Sequence, residues 1–333
     1  MRLARGHDVV FGAVLSVESL VKRYGTLVAV NGVSFQVKRG IHGLVGPNGA
    51  GKTTTMKCIV GLAVPDSGKI LFHGYDLASS KGWRLRSLIG YVAEVPVFPG
   101  EYTVEELLIE LGVLEGLSRL DAVKAARQVL EAVGLWELRS RRIRGLSKGE
   151  RKRLHFAQAL LQPRELYVLD EPFTGLDPEG VVSIRSLVAD LSRETAVLLS
   201  SHLLREVEEL ASEVTVIYRG RVVYSGSVEE LRRRLSVGVV VEAEVDDPGR
   251  AIEVLAARGY EVSRLGTGRR VAVHVGSRDD VPGVVEALVT GGVRVYTIIA
   301  RNISLEEAYI RLVSGSRGEV LEGRAGRGRG TAA

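Results

Sequence analysis

The sequence holds one cysteine among 333 residues. A lone Cys58 rules out an internal disulfide framework and a cysteine-rich zinc site, and its setting in the helical stretch MKCIVGL points to a place in the core. Long hydrophobic runs are missing too. Stretches such as Val237 to Val241, interrupted at Gly238 and closed by Glu242, fall far short of the roughly 20 apolar residues that a membrane-spanning helix needs. The opening MRLARGHDVVFG starts basic, but its apolar stretch is short, broken by charge and without a small-residue cleavage site, so a cytoplasmic protein is expected. A net charge of +5 is too mild to call for nucleic acid, and the dense basic stretch from Arg139 to Arg153 reads as a solvated face. What remains is a globular chain with 45% hydrophobic content, long enough for two domains.

From Val14 to about Leu235, short β-branched apolar runs alternate with amphipathic helical stretches, the pattern of a sheet covered by helices. Strands are expected at Val33 to Val37, Ile41 to Val45, Lys69 to Phe72, Leu88 to Ala93, LYVLD (166–170), AVLLS (196–200) and VTVIY (214–218). Apolar residues at helical spacing in TVEELLIELGVLEGL and DAVKAARQVLEAVGL make the region from about 95 to 163 a helical insertion. Beyond LRRRLS the texture changes. Segments 236–314 read strand, helix, strand, strand, helix, strand, the order of a small ferredoxin-like α+β domain, followed by a last helix SLEEAYIRLV. Residues 1–13 form an N-terminal extension, and the Gly/Arg-rich 315–333 is expected to be disordered.

GPNGAGKTT (46–54) fits the phosphate-loop pattern through Gly46, Gly51, Lys52 and Thr53, after an apolar strand and at the opening of a helix. Gly49 and Gly51 let backbone amides converge on phosphate oxygens, and the helix N-terminus adds positive dipole. Lys52 brings a full charge to the outer phosphates, and Thr53 offers a hydroxyl to magnesium. LYVLDEP (166–172) then delivers two carboxylates at the end of an apolar strand. Asp170 is placed to hold magnesium through water, and Glu171 to orient or deprotonate an attacking water.

With these comes LSKGE (146–150), and the chain resembles the ABC ATPase family: an α/β phosphate-loop ATPase domain with a helical subdomain over 14–235. The resemblance runs in motif order through Tyr24, the phosphate loop, Glu94 in GYVAEVP, LSKGE, Asp170 and Glu171, Asp177 in GLD, and His202. It implies that Tyr24 stacks on adenine and that ATP is gripped by Gly46 and the run Asn48, Gly49, Ala50, Gly51, Lys52, Thr53 and Thr54. The signature residues Ser147, Lys148, Gly149 and Glu150 would meet the γ-phosphate of ATP held by a second copy of the chain or a homologous subunit. Glu171 and His202 are the implied catalytic pair, Glu94 and Asp177 serve coupling, and Thr53, Asp170 and Glu94 hold Mg2+ with the ATP. Two positions depart from the common pattern: Glu94 stands where the family usually has glutamine, and LSKGE replaces LSGGQ. Both changes recur in exporter-type subunits of the family.

One phosphate loop and one signature make a half-engine, and 95 residues from Lys52 to Ser147 leave no room for a long coiled coil. The resemblance therefore implies a subunit that drives a separate integral membrane permease and lies peripherally on the inner face of the membrane. EPFTGLDPEG together with the tail helix looks like the ABC-2 class of multidrug, antibiotic or sodium exporters. An importer subunit and a soluble regulatory ATPase are the alternatives. His274, alone in VAVHV, reads as a sheet residue.

Overall fold

The computed structural model describes residues 12–235 and 239–302, in two compact units divided between Val228 and Glu229. The final helix SLEEAYIRLV, the Gly/Arg-rich end and all but the last two residues of the N-terminal extension lie outside the described residues.

The first unit contains two sheets where the sequence pattern points to one. β1 (Leu15–Tyr24), β2 (Leu27–Val37), β4 (Ser67–Phe72) and β5 (Tyr75–Asp76) form an antiparallel sheet in the order β2-β1-β4-β5. Alternation explains it: Leu15, Val17, Val33, Phe35 and Val37 are buried while Glu18, Ser34 and Gln36 are exposed, as in a sheet with one face on the core. The second sheet has the order β10-β9-β3-β8-β7-β6. β3 (Gly40–Val45), β6 (Ile89–Val92), β7 (Leu166–Leu169), β8 (Ala196–Ser201) and β9 (Glu213–Tyr218) run parallel, and β10 (Arg221–Ser227) closes the edge antiparallel. Every residue of β7 and β8 is buried, the signature of parallel strands covered on both faces.

Helix α1 (Lys52–Val60) contributes Met56, Cys58 and Ile59 to a core shared with Leu20, Val30 and Phe72 of the first sheet and Leu44, Leu166 and Leu198 of the second. Burial pushes the Cys58 thiol up to about 11, which keeps it protonated and inert. After the short α2 (Ser80–Leu85), the helical region comprises α3 (Val104–Leu114), α4 (Arg119–Ala132) and α5 (Lys148–Ala159). Capping boxes set the starts of α3, at Thr103 and Glu106, and of α5, at Ser147 and Glu150. α6 (Pro178–Glu194) and α7 (Leu204–Glu208) complete the unit, and α8 (Val228–Leu235) begins at the division.

In the second unit, β11 (Val239–Val245), α9 (Pro248–Ala257), β12 (Glu261–Leu265), β13 (Arg270–Val275), α10 (Val281–Thr290) and β14 (Val295–Asn302) follow one another. The sheet order is β12-β13-β11-β14 with every neighbour antiparallel, which is the ferredoxin-like arrangement. Val241, Ala243 and Val273 pack against Ala251, Leu255, Val284 and Leu288 of the two helices. His274 sits in β13 paired with Val240, as a sheet residue.

Candidate functional site

All five parallel strands of the first unit end toward one edge of their sheet, and the phosphate loop, Glu94, Asp170 with Glu171, and His202 follow four of those ends. In α/β sheets this carboxyl edge is where ligands bind.

After β3, the chain turns through 46–51 into α1. Glycine is required at Gly51, whose φ of +108° is left-handed and whose added Cβ would lie 2.5 Å from the Ala29 carbonyl. At Gly46 a Cβ would lie 2.3 Å from the Ile217 carbonyl of β9, so the loop hugs its neighbouring strand. Lys52, 6% exposed, folds over this loop and donates to the carbonyls of Gly46 at 2.7 Å and Pro47 at 3.3 Å. The turn of Arg219 and Gly220 between β9 and β10 braces the loop: Gly220 donates its N–H to Ala50 O at 2.9 Å.

After β7 come the two carboxylates. Leu169 pairs with Leu199 across the parallel ladder, so the next residues, Asp170 and Ser200, are neighbours. Ser200 Oγ donates to Asp170 Oδ1 at 2.7 Å and accepts from the Glu171 N–H at 2.9 Å, which locks both acids to β8. Glu171 has a φ of +45°, a left-handed conformation costing on the order of 1–3 kcal/mol in a non-glycine residue, which this clamp sustains. Its Oε1 lies 3.4 Å from Lys52 Nζ, and its Oε2 is 2.8 Å from His202 Nδ1, which follows β8. Asp170 is fully buried, and its Oδ2 has no hydrogen-bond partner. A buried carboxylate oxygen without a partner is costly unless a ligand satisfies it, and an oxygen-only donor of this kind suits a hard divalent cation.

Lys52, Glu171 and His202 open on one cleft of about 650 Å³ lined by Tyr24, the run 48–54 and Glu94 as well, with Thr174, Arg219 and Gly220 from neighbouring loops. Tyr24 is 49% exposed, with the Lys22 amine 5.5 Å from its ring centre. Gly46 and Asp170 stand behind this lining. Asp177 is not part of it: it caps α6, accepting the Gly180 N–H at 3.0 Å.

Ser147, Lys148, Gly149 and Glu150 are also absent from the cleft wall and sit at the N-terminus of α5. Ser147 Oγ accepts from the Glu150 N–H at 3.1 Å and Glu150 returns a bond to the Ser147 N–H at 2.6 Å, so Glu150 shapes the helix start. Lys148 borders a second, smaller groove of about 220 Å³ together with Glu94, Thr174 and Lys152. Lys152 is 1% exposed and donates to the carbonyls of Ala93, Glu94 and Asp170. Burial pulls its amine down to about 8, against the opposing pull of the Asp170, Glu94 and Glu171 carboxylates. The Tyr91 hydroxyl beneath is pushed well above its usual range by burial and by the same acids at 170 and 94.

Reading the sequence alone misses Ser200, Lys152 and the Arg219–Gly220 brace. Ser200 lies inside the recognised strand AVLLS and carries no motif of its own. Lys152 hides in a basic run, and only the Arg-Gly pair between two strand-like segments marks a turn.

The family model described as ABC transporter matches residues 30–174, from β2 through the phosphate loop and signature to just past Glu171. The bacitracin transport ATP-binding protein BcrA of Bacillus licheniformis is 33% identical over 309 residues, covering 91% of this chain and 98% of that protein. The daunorubicin resistance ATP-binding protein DrrA3 of Streptomyces coeruleorubidus is 33% identical over 313 residues, covering 91% and 96%. Among solved structures, an ATP-binding subunit of an ABC transporter superposes with a TM-score of 0.60 at 32% identity, covering 66% of this chain and 92% of that one. On its fold, its site and these relatives, the chain belongs to the ABC transporter family as an ATP-binding, ATP-hydrolysing subunit.

Proposed function

We propose that the chain pairs with a second copy of itself, or a homologous subunit, around two ATP molecules and drives a separate membrane permease of the ABC-2 exporter type. The observation that carries the paired state is the placement of the signature. Ser147 and Gly149 stand at a helix N-terminus suited to phosphate, yet they do not line the cleft that Lys52, Glu171 and His202 share. The phosphate they face is that of another copy's ATP.

Within the cleft, Tyr24 stacks on the adenine, the amides of 48–54 and Lys52 hold the phosphates, and Glu171 orients the attacking water. His202, bonded to Glu171 Oε2, keeps that carboxylate aimed and meets the γ-phosphate. The orphaned Oδ2 of Asp170, with the Thr53 hydroxyl and Glu94, fits magnesium, an ion that keeps several waters and substrate phosphates as ligands. Bound there, magnesium would supply neutralisation of the charge on the outer phosphates. Asp177, at the start of α6, serves the contact between copies.

Export is supported by the relatives, whose names describe bacitracin transport, daunorubicin resistance, linearmycin resistance and Nod factor export. Among the described residues no helix is long and apolar enough to cross a membrane, and a separate permease is supported by the relatives, which are named as ATP-binding proteins of transport and resistance. Val95 and Val97, directly after Glu94, are 66% and 89% exposed, and they offer the permease an apolar foothold beside a residue that lines the nucleotide cleft.

Affinity purification of the tagged chain from its own membranes in mild detergent tests this reading. A polytopic permease recovered in about equal amount is expected. Recovery in the soluble fraction alone would leave the ATPase and overturn the exporter.

A further inference from the structure

Of the buried lysines and carboxylates among the described residues of the first unit, Lys152 is the one the proposed chemistry does not use. At 1% exposure on α5, its amino group reaches the Ala93 and Glu94 carbonyls at 3.0 Å each and the Asp170 carbonyl at 3.3 Å. An ammonium has three donors, and all three are spent on backbone oxygens. Sealing a lysine in this way is costly unless its charge and donors are matched, and at 1% exposure almost none of the side chain is left to water.

Where those carbonyls lie gives the arrangement its meaning. β6 and β7 are paired as far as Val92 and Leu169, with Asp170 N–H still donating to Val92 O at 2.8 Å. Beyond that bond the two strand ends part, one toward Glu94 and the other toward Glu171. Lys152 spans the gap and leaves the Asp170 and Glu94 carboxylates themselves unoccupied by its amine, because its bonds go to main-chain oxygens. It also stands five residues after Ser147 on the same continuous helix, so α5 links the signature end to these two strand ends.

We propose that Lys152 is a positioning residue for ATP hydrolysis, holding the backbone at Glu94 and at Asp170 in register with one another and with the signature helix. This rests on the roles proposed above for Glu94, Asp170 and the signature. Engagement of the signature by a partner's ATP shifts α5 as a rigid rod, and Lys152 delivers that shift to the two strand ends that present the magnesium and water ligands. The hydrogen bonds of Lys152 go to Ala93, Glu94 and Asp170 and to none of residues 46–54, so turnover is expected to depend on it more than nucleotide binding in the chain's own cleft does.

The test uses the full chain with Lys152→Met, which keeps the length and removes every donor, and Lys152→Gln, which restores two of them. Turnover, KM and the affinity for a fluorescent ATP analogue are measured together, with Glu171→Gln as a control. Lys152→Met is expected to lose at least about tenfold in kcat, as sub-ångström to ångström misplacement of catalytic groups does, while nucleotide affinity stays within about threefold and Lys152→Gln recovers part of the turnover. Turnover of Lys152→Met within about twofold of the wild type would overturn the inference while leaving the carboxylate roles intact. So would a parallel loss of affinity and kcat in both variants, because that pattern marks a fold-supporting residue. If Glu171→Gln itself hydrolyses ATP like the wild type, the carboxylate roles fail and the inference falls with them.

Discussion

The amino group of Lys52 and the Oε1 of Glu171 lie 3.4 Å apart, so the cation of the phosphate loop and the acid that follows β7 face one another across the cleft. Lys52 also bonds the Gly46 and Pro47 carbonyls, and Glu171 also bonds His202. On the roles proposed above, a triphosphate entering the cleft would compete with Glu171 for Lys52. As the lysine turned to the phosphates, Glu171 Oε1 would be released toward the attacking water, which would link binding and water activation through one ion pair.

Lys52→Ala removes the buried cation proposed above to pair with phosphate. ATP affinity is expected to fall by an order of magnitude or more, in line with the few kcal/mol carried by charge-assisted bonds out of water. Isothermal titration with Mg-ATP measures it, and unchanged affinity would contradict the placement of Lys52 on the phosphates.

Ser200→Ala breaks two buried bonds at once, to Asp170 Oδ1 and from the Glu171 N–H. Stability is expected to drop by about 1–3 kcal/mol in urea unfolding, the cost of leaving buried polar groups unpaired. Turnover should fall more than nucleotide affinity, since Glu171 loses the clamp that sustains its left-handed backbone.

Ser147→Ala removes the hydroxyl that caps α5. The cap itself is worth about 1 kcal/mol, so the protein should remain folded and bind ATP as before. ATP-driven pairing of two copies, followed by light scattering, should weaken. Pairing as strong as in the unsubstituted protein would show that the signature does not meet a partner's phosphate.

His42, 3% exposed, is stacked on Phe35 and bonded to Thr215 Oγ1, and burial holds its pKa down to about 4 from 6.5. Because the folded state takes up this proton later than the unfolded chain does, its contribution is fully present above pH 6.5 and is lost as the pH falls toward 4. The drop corresponds to about 3 kcal/mol, and His155, also held at about 4 by burial, acts in the same direction. Urea unfolding across this window should lose stability more steeply in the wild type than in His42→Gln. Equal slopes would contradict the burial account.

What was legible in the sequence divides by how local the information is. The phosphate loop is contiguous, and its glycines, lysine and helix start are read from nine residues in a row. LSKGE is equally local, although its last residue proves to be the reciprocal partner of Ser147 in a capping box. The βαββαβ order of the second unit follows from alternation and spacing, and the observed strand order agrees. The clamp at Ser200 and the bridge at Lys152 were not legible, because each depends on contacts between residues 18 to 59 positions apart in the chain. The separate antiparallel sheet is not legible for a similar reason: β1 pairs with β2 and with β4, and a pairing partner leaves no mark in local periodicity.

The most direct test of the account is the mass of Glu171→Gln in saturating Mg-ATP, read by size-exclusion chromatography with light scattering. With water activation lost and the nucleotide retained, ATP should hold two copies together, giving about twice the 36.0 kDa of one chain. A species that stays at the mass of a single chain would contradict the shared-nucleotide arrangement and, with it, the role assigned to the signature.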